Sequence, residues 1–130
     1  MVGILLITHA PLGRAFIEAV THVYKDPPEK LEALDVIADQ DPGEVRRLAS
    51  EAIARLNDGS GVLVLTDMIG ATPANCTQSL CVSGEVEVIA GVSLPMLLRA
   101  IGYRNNTLET LIEMALTGGQ KGVCRVAAKI

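Results

Sequence analysis

The chain has 130 residues, which suits one domain with a substantial core. It is 49% hydrophobic but holds only one Phe and two Tyr, so its core must be aliphatic. The net charge of −4 and the pI near 5.1 argue against a nucleic-acid-binding protein, because such proteins normally carry a basic patch.

Cysteine usage and the lack of a long apolar run indicate the compartment. Cys76, Cys81 and Cys124 form no C-x-x-C pair, and their number is odd. We therefore expect small apolar core residues in a reducing environment, rather than disulfides or a zinc site. We also expect no signal peptide and no segment that spans a bilayer, and hence a cytoplasmic protein.

Strand-like apolar runs alternate with helical periodicity along the chain. The predicted strands cover residues 2–7, 31–38, 61–66 and 85–90, with a short final strand over 123–130. The predicted helices cover residues 11–24, 42–56, 72–82, 94–101 and 108–116. Asp41-Pro42 predicts the capped start of the second helix, and Gly118-Gly119 is expected to break the last one.

This alternation predicts an α/β fold with a parallel sheet and helices on both faces. The expected architecture is three-layered and flavodoxin-like, with strand order 2-1-3-4. We expect the short C-terminal strand to lie antiparallel at the sheet edge. Ligands of such folds bind beyond the carboxyl ends of the strands, where strands one and three diverge.

Two polar residues follow strands that meet at this point. His9 ends the first strand and Asp67 follows the third. We expect the two side chains to meet. A carboxylate that accepts the N–H of one imidazole nitrogen fixes the tautomer and leaves the other nitrogen free to attack. His9 would then be a nucleophile and Asp67 the acid that orients it.

Hydrogen-bond donors around this pair are suited to an anion. We expect free backbone N–H groups at the start of the first helix and in the turn over residues 70–74, where Gly70 and Ala71 lie. The hydroxyl groups of Thr72 and Thr8 are further candidate donors. A nucleophile, an orienting acid and such donors together suggest phosphoryl capture on histidine.

Three motifs in order resemble a known family. They are His9 after an apolar strand, the run DMIGATPAN over residues 67–75, and the run VIAGVSLPM over residues 88–96. Together they are similar to the IIA component of mannose-family sugar phosphotransferase systems, and the similarity extends over essentially the whole chain. It departs from the family pattern at Ile69, where an aromatic residue is common, and at Ala71, where glycine is common.

The resemblance implies a role for each site residue. His9 would accept a phosphoryl group on Nε2 from the phosphocarrier protein HPr and pass it to a IIB component, while Asp67 holds Nδ1. Thr72 occupies the position of a hydroxyl that contacts the phosphate. The family also implies a homodimer, with residues 123–130 as candidates for exchange between subunits. We expect no cofactor and no metal.

Alternatives stay open at this stage. His9 and Asp67 could be a satisfied strand-end histidine and a helix cap. A free-standing IIA protein could signal its phosphorylation state to a regulatory partner without sugar transport, and the dihydroxyacetone-kinase phosphotransfer subunit is a weaker resemblance. A flavodoxin-like fold could instead bind a nucleotide or flavin, although the chain lacks the glycine-rich phosphate motifs. Residues 94–98 read as a helix start or a docking patch, and His22 as a surface residue.

Overall fold

The computed structural model describes residues 1–68 and 72–129, apart from the side chains of Thr72, Ala74 and Cys76. Four parallel strands form one sheet in the order β2-β1-β3-β4, which confirms the predicted topology. In chain order the elements are β1 (Gly3–His9), α1 (Leu12–Tyr24), β2 (Leu31–Val36), α2 (Pro42–Leu56), β3 (Val62–Thr66), α3 (Thr72–Gln78), β4 (Val86–Ala90), α4 (Leu94–Tyr103) and α5 (Leu108–Lys121).

The two central strands are buried on both faces, because helices cover both sides of the sheet. Alternate residues point to opposite faces. Ile4 and Leu63 belong to the core on the side of α1, α4 and α5, while Leu5 and Val64 belong to the core on the side of α2. Continuous apolar runs therefore fill both cores of a three-layer structure.

Side chains cap three of the helices, as residue type predicts. Asp41 accepts a hydrogen bond from the backbone N–H of Glu44 at 3.2 Å, with Pro42 in the first turn of α2. Ser93 caps α4 and Thr107 caps α5 in the same way. The predicted start of α2 is confirmed.

The end of α5 differs from the prediction, because Gly118 and Gly119 do not break the helix, which continues to Lys121. These glycines allow α5 to pack closely against α4. A Cβ atom at Gly118 would lie 2.8 Å from Cβ of Arg99, and one at Gly122 would lie 2.7 Å from Cβ of Pro95. Tertiary packing thus outweighs the low helix propensity of glycine here.

The third helix is shorter than expected and ends at Gln78 instead of near residue 82. Val82 forms an isolated antiparallel bridge with Val86, the first residue of β4. The N–H of Val82 donates to the carbonyl of Val86 at 3.0 Å, and the N–H of Val86 donates to the carbonyl of Val82 at 2.8 Å. This isolated bridge turns the chain into β4 before the helix can continue.

No strand forms over residues 123–129 within the part of the chain that the structure describes. Val123 and Val126 are 83% and 87% exposed there. The C-terminal strand that the sequence predicts is therefore not found at the edge of this chain's own sheet, and pairing with another chain stays a prediction. Gly122 at the end of α5 lies beside Pro95 at the start of α4, so this segment leaves the fold near the carboxyl ends of the strands.

The cysteine prediction was wrong for two of the three residues. Cys81 and Cys124 are exposed free thiols, because they follow the ends of α3 and α5 instead of lying within a packed face. The side chain of Cys76 lies outside the described residues. His22 is exposed on α1, as predicted.

The tyrosines lie far from the carboxyl ends of the strands. Tyr24 ends α1 and Tyr103 ends α4, and they are 44% and 40% exposed. The carbonyl of the next residue, Arg104, accepts a hydrogen bond from Val2 just before β1, which fixes this end of α4 at the amino edge of the sheet.

Candidate active site

His9 and Asp67 lie side by side at the carboxyl edge of the sheet. Ile7 of β1 pairs in register with Thr66 of β3, so the residues that follow leave the two strands as neighbours. His9 Nδ1 lies 2.7 Å from Asp67 Oδ2, which confirms the proximity that the sequence predicts. Their roles in a reaction stay predictions.

The Asp67 carboxylate is fixed by backbone groups as well. The backbone N–H of His9 donates to Oδ2 at 3.1 Å, and that of Met68 donates to Oδ1 at 3.1 Å. Burial acts to raise the pKa of Asp67, but the hydrogen bonds and the charge interaction with His9 outweigh it and lower this pKa below its usual value. Asp67 is therefore ionised at neutral pH and acts as an acceptor.

An ionised Asp67 determines where a neutral His9 ring carries its proton. Since the carboxylate can only accept, the proton lies on Nδ1, and Nε2 keeps a free lone pair. The side chain of His9 is 48% exposed, whereas that of Asp67 is 14% exposed. The arrangement presents a nucleophilic nitrogen to solvent and shields the acid that orients it.

An open pocket of about 520 Å³ lies beside His9. Its wall is formed by the connection between β2 and α2, including Ile37 and Asp39, and by Pro73 at the start of α3. Ile37 of this wall is 61% exposed, and Met68, which follows Asp67 in the chain, is 55% exposed. Exposed apolar side chains therefore lie near the polar pair.

The expectation of free backbone donors at the start of α1 was wrong for the N–H groups of Gly13 and Arg14. The carboxylate of Asp35, on β2, accepts from the N–H of Gly13 at 2.9 Å and of Arg14 at 3.4 Å. The N–H of Ala10 donates to the carbonyl of Val36 at 2.9 Å. Sequence reasoning missed Asp35, although an acid near the end of a half-buried strand was an available signal.

The position of Thr8 does not support its predicted contact with a phosphate. Its side chain is fully buried, on the side of the sheet that faces α1, and a Cβ atom at Gly13 would lie 3.2 Å from its Oγ. Its hydroxyl has no hydrogen-bond partner among the residues that the structure describes. Because side chains alternate along a strand, Thr8 and His9 point in different directions.

The remaining predicted phosphate contacts lie at the start of α3. Thr72 begins this helix, as the sequence predicts, but its side chain lies outside the described residues, as do Gly70 and Ala71. The departure noted at Ile69 also falls outside them.

No group of three or more His, Cys, Asp or Glu side chains among the described residues has the arrangement of a metal site. No helix in the same residues combines the length and apolar character needed to cross a membrane.

Fold and geometry together define the class: a parallel 2-1-3-4 α/β protein with an imidazole, oriented by an acid, at its carboxyl edge. Comparison with known proteins then gives the family. The model of the EIIA-man family, described as "PTS system fructose IIA component", matches residues 3–116. The chain belongs to this family and is a mannose-family IIA component of a sugar phosphotransferase system.

Curated relatives agree with this assignment. The chain is 36% identical over 80 residues to the mannose-specific EIIAB component of Escherichia coli (strain K12), a match to 59% of this chain and 25% of that protein. It therefore corresponds to only about a quarter of the length of that relative. It is 29% identical over 106 residues to the sorbose-specific EIIA component of Lacticaseibacillus casei, which covers 79% of this chain and 74% of that protein.

Solved structures share the fold. An EIIA component from Streptococcus agalactiae superposes with a TM-score of 0.86 at 22% identity, covering 96% of this chain and 97% of that one. A mannose/sorbose-specific IIA subunit from Enterococcus faecalis gives a TM-score of 0.84 at 16% identity, covering 99% and 97%. The family assignment favours phosphotransfer over the nucleotide- or flavin-binding alternative.

Proposed function

We propose that the chain is a phosphocarrier, which accepts a phosphoryl group from HPr on His9 and passes it to a IIB component. The observation that carries the proposal is the 2.7 Å contact between His9 Nδ1 and Asp67 Oδ2, combined with the half-exposed ring. This geometry supplies an oriented nucleophile that a partner protein can reach.

The transfer follows from the tautomer. The lone pair on His9 Nε2 attacks phosphorus, and a nitrogen–phosphorus bond forms as the bond to the donor breaks and its electron pair returns to the donor. The His9 ring keeps its proton on Nδ1 and gains positive charge, which the adjacent Asp67 carboxylate stabilises. The reverse steps deliver the phosphoryl group to the IIB component and restore the neutral ring.

We assign the phosphate contacts to the segment before and at the start of α3. By resemblance to the family, Thr72 donates its hydroxyl and the turn over residues 70–71 donates backbone N–H groups. Thr8 is buried, and Asp35 accepts from the N–H of Gly13 in the first turn of α1, so neither Thr8 nor Gly13 supports a phosphate contact.

We further propose a cytoplasmic homodimer in which residues 123–130 pair with the partner chain. Exposed valines in this segment, Val123 and Val126, support the pairing. Sedimentation of the chain and of a truncation after Lys121 tests it: the truncated chain should sediment as a monomer, and a persistent dimer would contradict the exchange.

Labelling tests the phosphocarrier proposal. Incubation with labelled phosphoenolpyruvate, enzyme I and HPr should place acid-labile, base-stable phosphate on the chain. His9→Ala should abolish the label, while His22→Ala, which changes the other histidine of the chain, should retain it. An unlabelled wild-type chain, or a labelled His9→Ala variant, contradicts the proposal. Transfer of the label onward to an added IIB protein distinguishes a carrier from a purely regulatory protein, which would retain it.

A further inference from the structure

We propose that Asp35 is a positioning residue for His9, which acts by holding the start of α1 against β2. The inference rests on the proposed function of His9, and it adds a residue that the motifs of the sequence do not include. Asp35 lies on β2, one position before Val36, whose register partner is His9.

The first observation is that α1 lacks a cap of its own. Pro11 precedes the helix and provides no side-chain cap, whereas α2, α4 and α5 are each capped by the residue before them. The cap of α1 comes instead from a neighbouring strand, because Asp35 accepts hydrogen bonds from Gly13 and Arg14 at 2.9 and 3.4 Å. Asp35 therefore performs for α1 what a local Ser, Thr or Asp usually does.

The second observation is that β2 holds the chain on both sides of Pro11. Before this proline, the N–H of Ala10 donates to the Val36 carbonyl at 2.9 Å. After it, the N–H groups of Gly13 and Arg14 donate to Asp35. Asp35 thus fixes the end of the turn that connects His9 to α1, and this turn positions the His9 ring beside Asp67.

The third observation is that the contact is closely fitted. A Cβ atom at position 13 would lie 2.7 Å from Asp35 Oδ1 and 2.9 Å from Cβ of Ala33, so only glycine permits this approach. The carboxylate also places a negative charge at the positive end of the α1 dipole. Asp35 is therefore part of a closely packed and hydrogen-bonded contact between β2 and α1.

Removing the Asp35 carboxylate should loosen the contact between β2 and α1 and lower the population of the His9–Asp67 contact. Loss of an N-cap side chain typically changes the equilibrium constant for ordering the start of a helix about fivefold. We expect Asp35→Ala to slow phosphoryl transfer by this factor at saturating phosphorylated HPr. Asp35→Asn keeps an oxygen that accepts from Gly13, so its rate should lie within about twofold of wild type.

The test measures transfer rates and, by carbon-13 NMR, the pKa of the Asp67 carboxyl group. Since hydrogen bonds from His9 lower this pKa, looser pairing in Asp35→Ala should raise it. Thr107→Ala is the matched control, because it removes the cap of α5, which lies near the amino edge of the sheet. This variant should leave both the transfer rate and the pKa of Asp67 unchanged.

The outcomes separate the two proposals. Slow transfer and a raised Asp67 pKa in Asp35→Ala, with rescue in Asp35→Asn, support positioning. Transfer as fast as in Thr107→Ala, an unchanged Asp67 pKa, or no rescue overturns it. A wild-type chain that accepts no phosphate refutes the proposed function, and the Asp67 pKa then still decides the role of Asp35. If Asp35→Ala fails to fold, Asp35→Val, which also lacks an acceptor and has a high strand propensity, is judged by the same criteria.

Discussion

Replacement of Asp67 by Asn tests how much the carboxylate contributes to phosphoryl capture. The two carboxylate oxygens of Asp67 accept from two backbone N–H groups, those of His9 and Met68, as well as from the imidazole of His9. An amide has one oxygen only. If this oxygen accepts from His9, the NH2 group of the amide lies against the Met68 N–H, and two donors then face each other. If it faces Met68, the NH2 group opposes His9 and favours the tautomer whose proton lies on Nε2.

The size of the effect follows from this geometry. A hydrogen bond to a charged group contributes about 1.5–3 kcal/mol, compared with about 1 kcal/mol for a neutral one. The difference between these values is about 0.5–2 kcal/mol, and one opposed N–H adds about 1 kcal/mol, so the loss for the charged transition state is about 1.5–3 kcal/mol. We therefore expect Asp67→Asn to slow phosphoryl transfer about 10-fold to 150-fold.

Rapid-quench measurement of single-turnover transfer from labelled HPr provides the assay. Asp58→Asn is the control, since Asp58 pairs with Lys30 and the amino terminus, away from His9. That variant should transfer at the wild-type rate. A wild-type rate in Asp67→Asn, with folding verified by circular dichroism, would refute the argument that the acid orients and stabilises the ring.

Other predictions concern stability and ionisation. Thr8→Val removes a buried hydroxyl that has no partner within the described part of the chain, so thermal unfolding should show equal or slightly higher stability, by up to about 1 kcal/mol, and labelling should persist. Gly118→Ala should destabilise the folded protein by about 1–3 kcal/mol, because an added methyl group overpacks the contact with α4. Gly102→Ala should stabilise it by about 0.5–1 kcal/mol, because the added methyl group has open space in α4. Equal denaturation midpoints of the two variants would contradict this reasoning. His9→Ala should raise the pKa of Asp67 in an NMR titration, because burial then acts against fewer hydrogen bonds. Because the pKa of Asp67 is lowered in the folded protein, its ionised form stabilises the fold above pH about 4. This contribution is lost as the pH falls through the pKa of Asp67 in the folded protein. The free energy of unfolding of His9→Ala should therefore depend less on pH in this acidic range.

The sequence was sufficient for the order of the four parallel strands and for the central pair of residues. Each strand is an apolar run bounded by turns, and the alternation with helices restricts the topology to few choices. His9 and Asp67 could be paired because parallel strands place their carboxyl ends at one edge. No distance or contact was needed for that inference.

What the sequence did not predict depends on contacts between distant segments. The Asp35 contact with α1 joins residues 22 positions apart and requires the position of β2 beside β1. Continuation of α5 through Gly118 and Gly119 depends on α4, which offers close packing to residues without side chains. Local propensity carries no information about either neighbour.

The placement of the aromatic residues has a practical consequence for spectroscopy. The chain has no tryptophan, and Tyr24 and Tyr103 both end helices at the edge of the sheet opposite His9. Native ultraviolet emission is therefore weak and insensitive to events at the histidine. A single indole introduced at Met68, which is 55% exposed, would emit alone from the reactive edge and report the arrival of each partner in real time.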